Sequence, residues 1–170
     1  MPTCLRSRLS VFALAVVVSA ATAAPAIAVV DEGHRGLRRT SLAAELDAPR
    51  KGERAAEEAV KAVGVPYRWG GESPTSGFDC SGLVRWAYGR VGIDLPHSSY
   101  ALYGEGRRVV ESKMEPGDLL FFEGLGHVGL YLGRGRMVHA PQSGRTVEIV
   151  RLDGSNYGSR LIGARRVVPA

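Results

Sequence analysis

Two stretches of the chain carry apolar residues at the spacing of an amphipathic helix. The first begins near Glu53 and is stopped by Gly64, and its apolar stripe consists of Ala55, Ala56, Ala59, Val60 and Val63. The second spans roughly residues 80–91 and is stopped by Gly92, and its stripe consists of Leu83, Val84, Ala87, Tyr88 and Val91. The pattern predicts two helices, each with one buried face.

Short apolar runs replace the helical pattern after Pro116 and Gly117. Glycine-containing turns separate these runs, which is typical of antiparallel strands. The runs cover residues 118–122, 127–132, 137–140, 146–150 and 161–168. Helices followed by strands indicate an α+β domain of about 118 residues over 53–170.

The first 28 residues have the three parts of a secretory signal peptide. Arg6 and Arg8 precede an uncharged run over residues 9–30, which contains an Ala-x-Ala sequence ending at Ala28. This order predicts cleavage after Ala28. The alternative is an uncleaved membrane anchor, since the run is long enough to span a bilayer. We expect three parts: a signal peptide over 1–28, a linker over 29–52 and a folded domain over 53–170.

Composition and charge narrow the class of protein. Of the 170 residues, 45% are hydrophobic and 23% are charged, which excludes a disordered or fibrous chain. The formal charge of +5 falls to +3 without the two signal arginines, so an anionic partner is permitted but not required. Cys4 and Cys80 are too few for a disulfide scaffold or a four-thiolate zinc site. Signal cleavage would leave Cys80 as a lone thiol.

Cys80 lies in the first turn of the second predicted helix, with Asp79 in the N-cap position. The positive end of the helix dipole is expected to lower the thiol pKa and favour nucleophilic attack. The free N–H groups of that turn would form part of an oxyanion hole. A thiol nucleophile also needs a base, and His127 and His139 lie on predicted strands. From the residues alone, a catalytic Cys–His pair and a structural thiol are equally favoured.

Four segments, taken together and in order, resemble the NlpC-type cell-wall cysteine peptidases. They are residues 66–71 (PYRWGG), 78–84 (FDCSGLV), 116–122 (PGDLLFF) and 126–133 (GHVGLYLG), the last running on to residues 138–141 (VHAP). Their order and spacing cover the chain from about residue 53 to residue 168. One such segment would be weak support, whereas four in order identify the family.

The resemblance implies a papain-like fold, in which N-terminal helices pack on a curved antiparallel sheet. It also implies an exported peptidase that cleaves bacterial peptidoglycan, typically at the bond from D-γ-glutamate to a diamino acid such as meso-diaminopimelate. Neither a metal nor a cofactor is implied. We expect a secreted, wall-associated monomer whose partner is peptidoglycan, with no nucleic-acid partner and no stable membrane insertion after signal cleavage.

The resemblance further implies a role for each site residue. Cys80 would attack the amide carbonyl, His127 would take the thiol proton and later protonate the leaving amine, and His139 would orient His127. Tyr67 would lie at the oxyanion hole. The subsite for the stem peptide would be lined by Asp79, Ser81 and Ser99.

Several of these roles have simpler alternatives. Asp79 would serve as a helix cap alone, and Ser81 as an ordinary first-turn residue. Ser98 competes with Ser99 for the subsite. Tyr67 and Trp69 would be core aromatics, and His97 is interpreted as a residue on the rim of the site, where the family often has arginine.

The register of the last histidine is the main geometric difficulty. A regular two-residue hairpin turn at residues 134–135 pairs Leu130 with His139, which turns His139 away from His127. One extra loop residue or a bulge reverses that parity. His139 is our expectation for the orienting residue, and Gln142 is the alternative.

Two other functions compete with the endopeptidase. One is a cysteine, histidine-dependent (CHAP-like) N-acetylmuramoyl-L-alanine amidase, which would cut the sugar–peptide amide. The other is an inactive module that binds the anionic wall through its positive surface. The intact set of Cys80, His127 and His139 argues against the second alternative.

Overall fold

A computed structural model of the chain describes residues 50–167. The predicted signal peptide and linker residues 29–49 lie outside the described residues. Helix α1 covers residues 50–61 of the described part, so residues 50–52, assigned to the linker from sequence, are helical. Within residues 50–167, no helix is long and apolar enough to cross a membrane.

Helix α1 buries a face of small residues. Ala55, Ala59 and Ala62 are at most 2% exposed, because their i, i+4 and i+7 spacing places them on one side of the helix. The predicted stripe is wrong at Val60 and Val63, which are both exposed. The buried face is therefore narrower than the sequence pattern suggested.

The remaining elements are short helices and strands. The chain runs through β1 (Glu72–Ser73), β2 (Gly77–Phe78), α2 (Cys80–Gly89), α3 (Ser99–Leu102), β3 (Arg107–Val109), β4 (Leu119–Phe122), β5 (Val128–Gly133), β6 (Arg136–His139), β7 (Glu148–Arg151) and β8 (Leu161–Arg166). Strands β1 and β2 pair with each other, and the other six form one antiparallel sheet in the order β3-β8-β4-β5-β6-β7. These elements confirm the predicted α+β class.

Hydrophobic side chains pack in two clusters. The larger one joins α1 and α2 to the sheet and includes Phe78, Leu83, Leu119, Phe121 and Leu130. The smaller one includes Leu120, Phe122, Met137, Leu152 and Ala164. Leu119 and Phe121 lie in the first cluster and Leu120 and Phe122 in the second, because successive residues of a strand point to opposite faces. Strand β4, whose four residues are all apolar, is therefore buried on both faces of the sheet.

Candidate active site

Asp79 caps the helix that carries the cysteine. Its carboxylate oxygen Oδ1 accepts the N–H of Gly82 at 2.7 Å, and Cys80 is the first residue of α2. The same oxygen accepts the hydroxyl of Ser81 at 3.1 Å, and Oδ2 accepts the N–H of Gly70 at 2.9 Å. The capping carboxylate thus ties the first turn of α2 to the loop that precedes β1.

Gly82 lets this helix approach that loop. A Cβ atom at Gly82 would lie 2.0 Å from the carbonyl oxygen of Gly71 and 3.0 Å from Nε2 of His97. No side chain fits there without a backbone shift. Glycine at this position therefore allows the first turn of α2 to pack directly against the backbone of Gly71.

One cavity of about 550 Å³ lies at the N-terminus of α2. It brings together six of the seven residues expected in the site, namely Tyr67, Asp79, Cys80, Ser81, Ser99 and His127. The seventh, His139, is 1% exposed and lies behind His127. The walls also contain Ser98, so both candidate serines line the cavity.

His127 lies in the cavity wall, and His139 contacts it from behind. Nε2 of His127 lies 2.8 Å from Nδ1 of His139, and the two rings meet edge to face. The Tyr157 ring packs against both, with centroid distances of 5.9 Å to His127 and 4.8 Å to His139. With Nε2 of His127 engaged, Nδ1 is the nitrogen left to exchange a proton with a nucleophile.

A strand irregularity brings the two histidines together. The regular hairpin would pair Leu130 with His139, but this pairing does not occur. Leu130 pairs with Val138 instead, and the register shifts between Tyr131 and Gly133. This bulge changes the face on which the later residues of β6 lie. Gln142, the alternative orienting residue, is exposed, and the contact with His127 is made by His139.

Both imidazoles favour the neutral form. Burial, followed by the charges of His139 and Arg160, lowers the pKa of His127 to about 4. Burial, followed by the charge of Arg145, lowers the pKa of His139 to about 4. A buried imidazolium loses hydration that the protein does not replace. At neutral pH the pair is therefore uncharged and shares one hydrogen between its facing nitrogens.

The Cys80 thiol also favours its neutral form. Burial is the largest effect and raises its pKa above the ordinary value, and the Asp79 carboxylate adds to this. Backbone hydrogen bonding from Val128 and Ser81 opposes the rise. The helix terminus was expected to lower the pKa of Cys80. This expectation is wrong, because desolvation and the Asp79 carboxylate raise the pKa by more than the helix terminus lowers it. The arrangement is suited to proton transfer during attack rather than to a preformed thiolate.

Tyr67 lies close to Cys80. Burial is the main reason why the pKa of its phenol is raised, and the charges of Cys80 and Asp79 raise it further. Its N–H donates to the carbonyl of Arg145 at 2.8 Å, which holds the segment against the loop before β7. The phenol therefore remains a hydrogen-bond donor beside the sulfur.

His97 makes a closer contact than a rim residue would. Its Nε2 atom lies 2.9 Å from Oδ1 of Asp79, and its Nδ1 atom lies 3.5 Å from a carboxylate oxygen of Glu72. Burial alone would raise the pKa of Asp79, but hydrogen bonds from the N–H of Gly82, from His97 and from the N–H of Gly70 together outweigh it, so the pKa is lowered. Asp79 is therefore an anion at neutral pH, and it combines a capping role with a place in the cavity wall.

Two aromatic residues of the cavity were not assigned to the site from sequence. Trp69 is 86% exposed, so its interpretation as a core aromatic is wrong. Tyr100 is also exposed, and its hydroxyl donates to the carbonyl of Gly124 at 3.0 Å. The glycine pair after Trp69 is the sequence signal that could have indicated its exposure, because glycine-rich loops lie on the surface and expose the residues that they carry.

The described residues contain no group of three or more His, Cys, Asp or Glu side chains suited to holding a metal ion. The cavity chemistry is that of a thiol, an imidazole pair and a phenol. Such a set provides a nucleophile, a base with an orienting partner, and an oxyanion donor.

Comparisons with a family model and with known proteins all indicate the same family. A model of the NlpC/P60 family matches residues 64–166. The chain is similar to "Probable endopeptidase p60" of Listeria monocytogenes, with 43% identity over 113 residues, 65% of this chain and 23% of the relative. It is also similar to "Bifunctional muramidase/DL-endopeptidase CwlT" of Bacillus subtilis, with 44% identity over 94 residues, 52% of this chain and 29% of the relative. The chain thus spans about a quarter of the length of these curated relatives.

Solved structures agree with this. The structure of the peptidoglycan hydrolase RipB of Mycobacterium tuberculosis is similar with a TM-score of 0.63 and 33% identity, over 74% of this chain and 68% of that one. The P60 domain of the Mycobacterium avium subspecies paratuberculosis antigen is similar with a TM-score of 0.62 and 29% identity, over 72% of this chain and 98% of that one. These likenesses confirm the papain-like α+β fold.

Proposed function

The chain belongs to the NlpC/P60 family, and from this premise we propose that it is a cysteine endopeptidase that hydrolyses the stem peptides of bacterial peptidoglycan. The observation that carries the proposal is the common cavity of Cys80, His127 and Tyr67, with His139 bonded behind His127. Relatives named as endopeptidases and a peptidoglycan hydrolase support the same class of reaction.

In the proposed reaction, Cys80 and His127 carry the bond changes. The Cys80 S–H bond breaks as its proton passes to Nδ1 of His127, and the sulfur forms a bond to the amide carbon. The carbonyl electron pair moves to the oxygen, which the Tyr67 hydroxyl and the N–H groups of the first turn of α2 stabilise. The oxyanion electron pair then re-forms the carbonyl, the C–N bond breaks as His127 protonates the leaving amine, and a thioester remains.

Water completes the cycle. His127 takes a proton from water as the water oxygen attacks the thioester carbon. The resulting oxyanion collapses, the C–S bond breaks, and a carboxylic acid leaves the Cys80 thiolate. The proton returns to the sulfur. His139 accepts the Nε2–H of His127 throughout, which orients the base.

We assign the substrate subsite to Asp79, Ser81 and Ser99. Asp79 and Ser81 are linked by a hydrogen bond, and the pKa of Asp79 is lowered, so an anion faces the cavity. An anion favours a cationic substrate group, such as an ammonium group of the peptide. The proposed bond is D-γ-glutamyl to diamino acid, and the proposed setting is the cell wall, reached by export after cleavage at Ala28, as a monomer.

Product analysis tests the proposal. Purified peptidoglycan is digested with the chain and with Cys80→Ala, and stem fragments are identified by mass spectrometry. The endopeptidase predicts a new amino terminus on the diamino acid, made by the chain and not by Cys80→Ala. Release of stem peptides with a free amino-terminal L-alanine instead would establish an amidase, and equal lysis by Cys80→Ala would overturn a cysteine mechanism.

A further inference from the structure

One nitrogen of the histidine pair has no role in the proposed reaction. Nε2 of His139 is buried and has no hydrogen-bond partner within residues 50–167. A buried polar atom without a partner is unfavourable, so a native structure that keeps one usually has a use for it. His139 itself is 1% exposed, which leaves no route for bulk water to satisfy the atom.

A carboxylate stands opposite that nitrogen. Oε1 of Glu148 lies 3.5 Å from Nε2 of His139. The β6–β7 register pairs His139 directly with Glu148, so both side chains project from the same face of the sheet. The juxtaposition therefore follows from the strand ladder and not from a chance loop contact.

Arg145 fixes the position of this carboxylate. Its Nη2 atom donates to Oε1 of Glu148 at 2.7 Å and also contacts Oε2. The backbone of Arg145 accepts the N–H of Tyr67 at 2.8 Å. The loop before β7 thus supports both the phenol beside the sulfur and the carboxylate behind the histidines.

The tautomer of His139 determines which nitrogen of His127 is free to act as a base. If His139 carries its hydrogen on Nε2, its Nδ1 accepts the Nε2–H of His127, and Nδ1 of His127 has a free lone pair. If His139 carries it on Nδ1, His127 must accept at Nε2 and hold its own hydrogen on Nδ1. In that second state neutral His127 has no lone pair to offer the thiol.

We propose that Glu148 is a positioning residue that holds His139 in the Nε2–H form and so keeps His127 ready to accept the Cys80 proton. The inference rests on the proposed function, and it adds a fourth member behind the histidines. Glu148 touches neither the sulfur nor the cavity. At 3.5 Å the carboxylate is within ion-pair distance of Nε2, and catalytic hydrogen bonds are often this long in the absence of substrate.

The test combines histidine NMR with kinetics. Long-range 1H–15N spectra of 15N-histidine-labelled protein at neutral pH give the tautomer of His139 in the chain, in Glu148→Ala and in Glu148→Gln. We expect the Nε2–H form in the chain and in Glu148→Gln, whose amide oxygen still accepts, and a mixed population in Glu148→Ala. The matched control is Asp153→Asn, which removes an exposed carboxylate paired with Arg151 and should leave the tautomer unchanged.

Kinetics on soluble stem peptides complete the test. Glu148→Ala should lower kcat roughly ten- to a hundred-fold with KM unchanged, and Glu148→Gln should recover part of the loss. An unaltered His139 tautomer in folded Glu148→Ala overturns the inference, whatever the kinetics. If the chain itself cleaves no stem peptide, the proposed function fails, while the tautomer measurement still decides the role of Glu148.

Discussion

His127 and His139 meet through their facing ring nitrogens, Nε2 and Nδ1, at 2.8 Å. They reach this contact because the pairing of β5 with β6 shifts at the hairpin. Two neutral imidazoles joined in this way hold one shared hydrogen and leave Nδ1 of His127 directed elsewhere. The contact therefore makes His139 the orienting partner in the proposed reaction.

Replacing His139 should lower kcat and leave KM nearly unchanged. His139→Ala removes the acceptor of the His127 Nε2–H, so His127 rotates and the wrong tautomer is populated. We expect kcat to fall by about 10²-fold or more with KM within about twofold. The control is Gln142→Ala, which should leave steady-state kinetics on stem peptides unchanged; the opposite ranking would make Gln142 the orienting residue.

The free thiol should be a slow nucleophile at neutral pH. Burial raises the Cys80 pKa, and neutral His127 does not stabilise a thiolate. Because alkylation requires the thiolate, the rate with iodoacetamide should keep rising above pH 9 rather than level off below neutrality. Cys80→Ser supplies the background rate from Cys4. A plateau reached by pH 6 would indicate a thiolate–imidazolium pair instead.

Sequence reasoning identified which residues lie at the cavity better than how they are arranged there. Cys80 and His127 stand in motifs whose residues and order can be read directly, and strands β4 to β8 follow from apolar runs between glycines. The sequence allowed two pairings of β5 with β6, one regular and one with a bulge, because both are compatible with the apolar pattern of β6. Only the bulged pairing brings His139 to His127. The short elements β1, β2, β3 and α3 were not predicted, since two to four residues are too few to show a period.

The exposure of Trp69 and the direction of the Cys80 pKa shift were also predicted wrongly from sequence. For Trp69, the glycine pair that follows it is the only sequence signal that separates an exposed indole from a core one. The Cys80 pKa depends on how deeply the helix terminus is buried, which the spacing of residues does not reveal. Both properties arise from tertiary contacts.

Trp69 should contribute to substrate affinity. Its indole is 86% exposed at the edge of the cavity, where it gains contact area only when a substrate covers it. Trp69→Ala is expected to raise KM severalfold on wall fragments, with kcat and the unfolding midpoint unchanged. Val63→Ala, an exposed apolar residue outside the cavity, is the control. A lowered unfolding midpoint with unchanged KM would assign Trp69 to stability.

Gly82 should tolerate no side chain, whereas Gly89 in the same helix should. A Cβ at Gly82 would lie 2.0 Å from the carbonyl oxygen of Gly71, and at Gly89 nothing lies within 4 Å. Gly82→Ala should therefore lower the unfolding free energy and displace Cys80, with loss of activity. Gly89→Ala should raise that free energy by about 0.5–1 kcal/mol. Urea denaturation of both variants makes the comparison, and equal effects would show that helix propensity, not the close approach, governs Gly82.

Asp118 should be the most costly acidic residue to neutralise in the described part of the chain. It is 1% exposed, and its two oxygens accept Nε and Nη2 of Arg166 at 2.7 and 2.8 Å, which joins the start of β4 to the end of β8. Asp118→Asn removes the buried counter-ion of Arg166 and leaves its guanidinium only the exposed carboxylate of Glu115 at 2.7 Å, so we expect a loss of about 3 kcal/mol of unfolding free energy.

The matched control for this pair is Asp153→Asn. Asp153 pairs with Arg151 at 3.1 Å on the surface, and both side chains are largely exposed, so its loss should cost about 0–1 kcal/mol. Urea unfolding monitored by tryptophan fluorescence gives both values. Equal losses in the two variants would mean that the Asp118–Arg166 pair contributes no more than a surface contact, and that the apolar clusters alone hold β8 against β4.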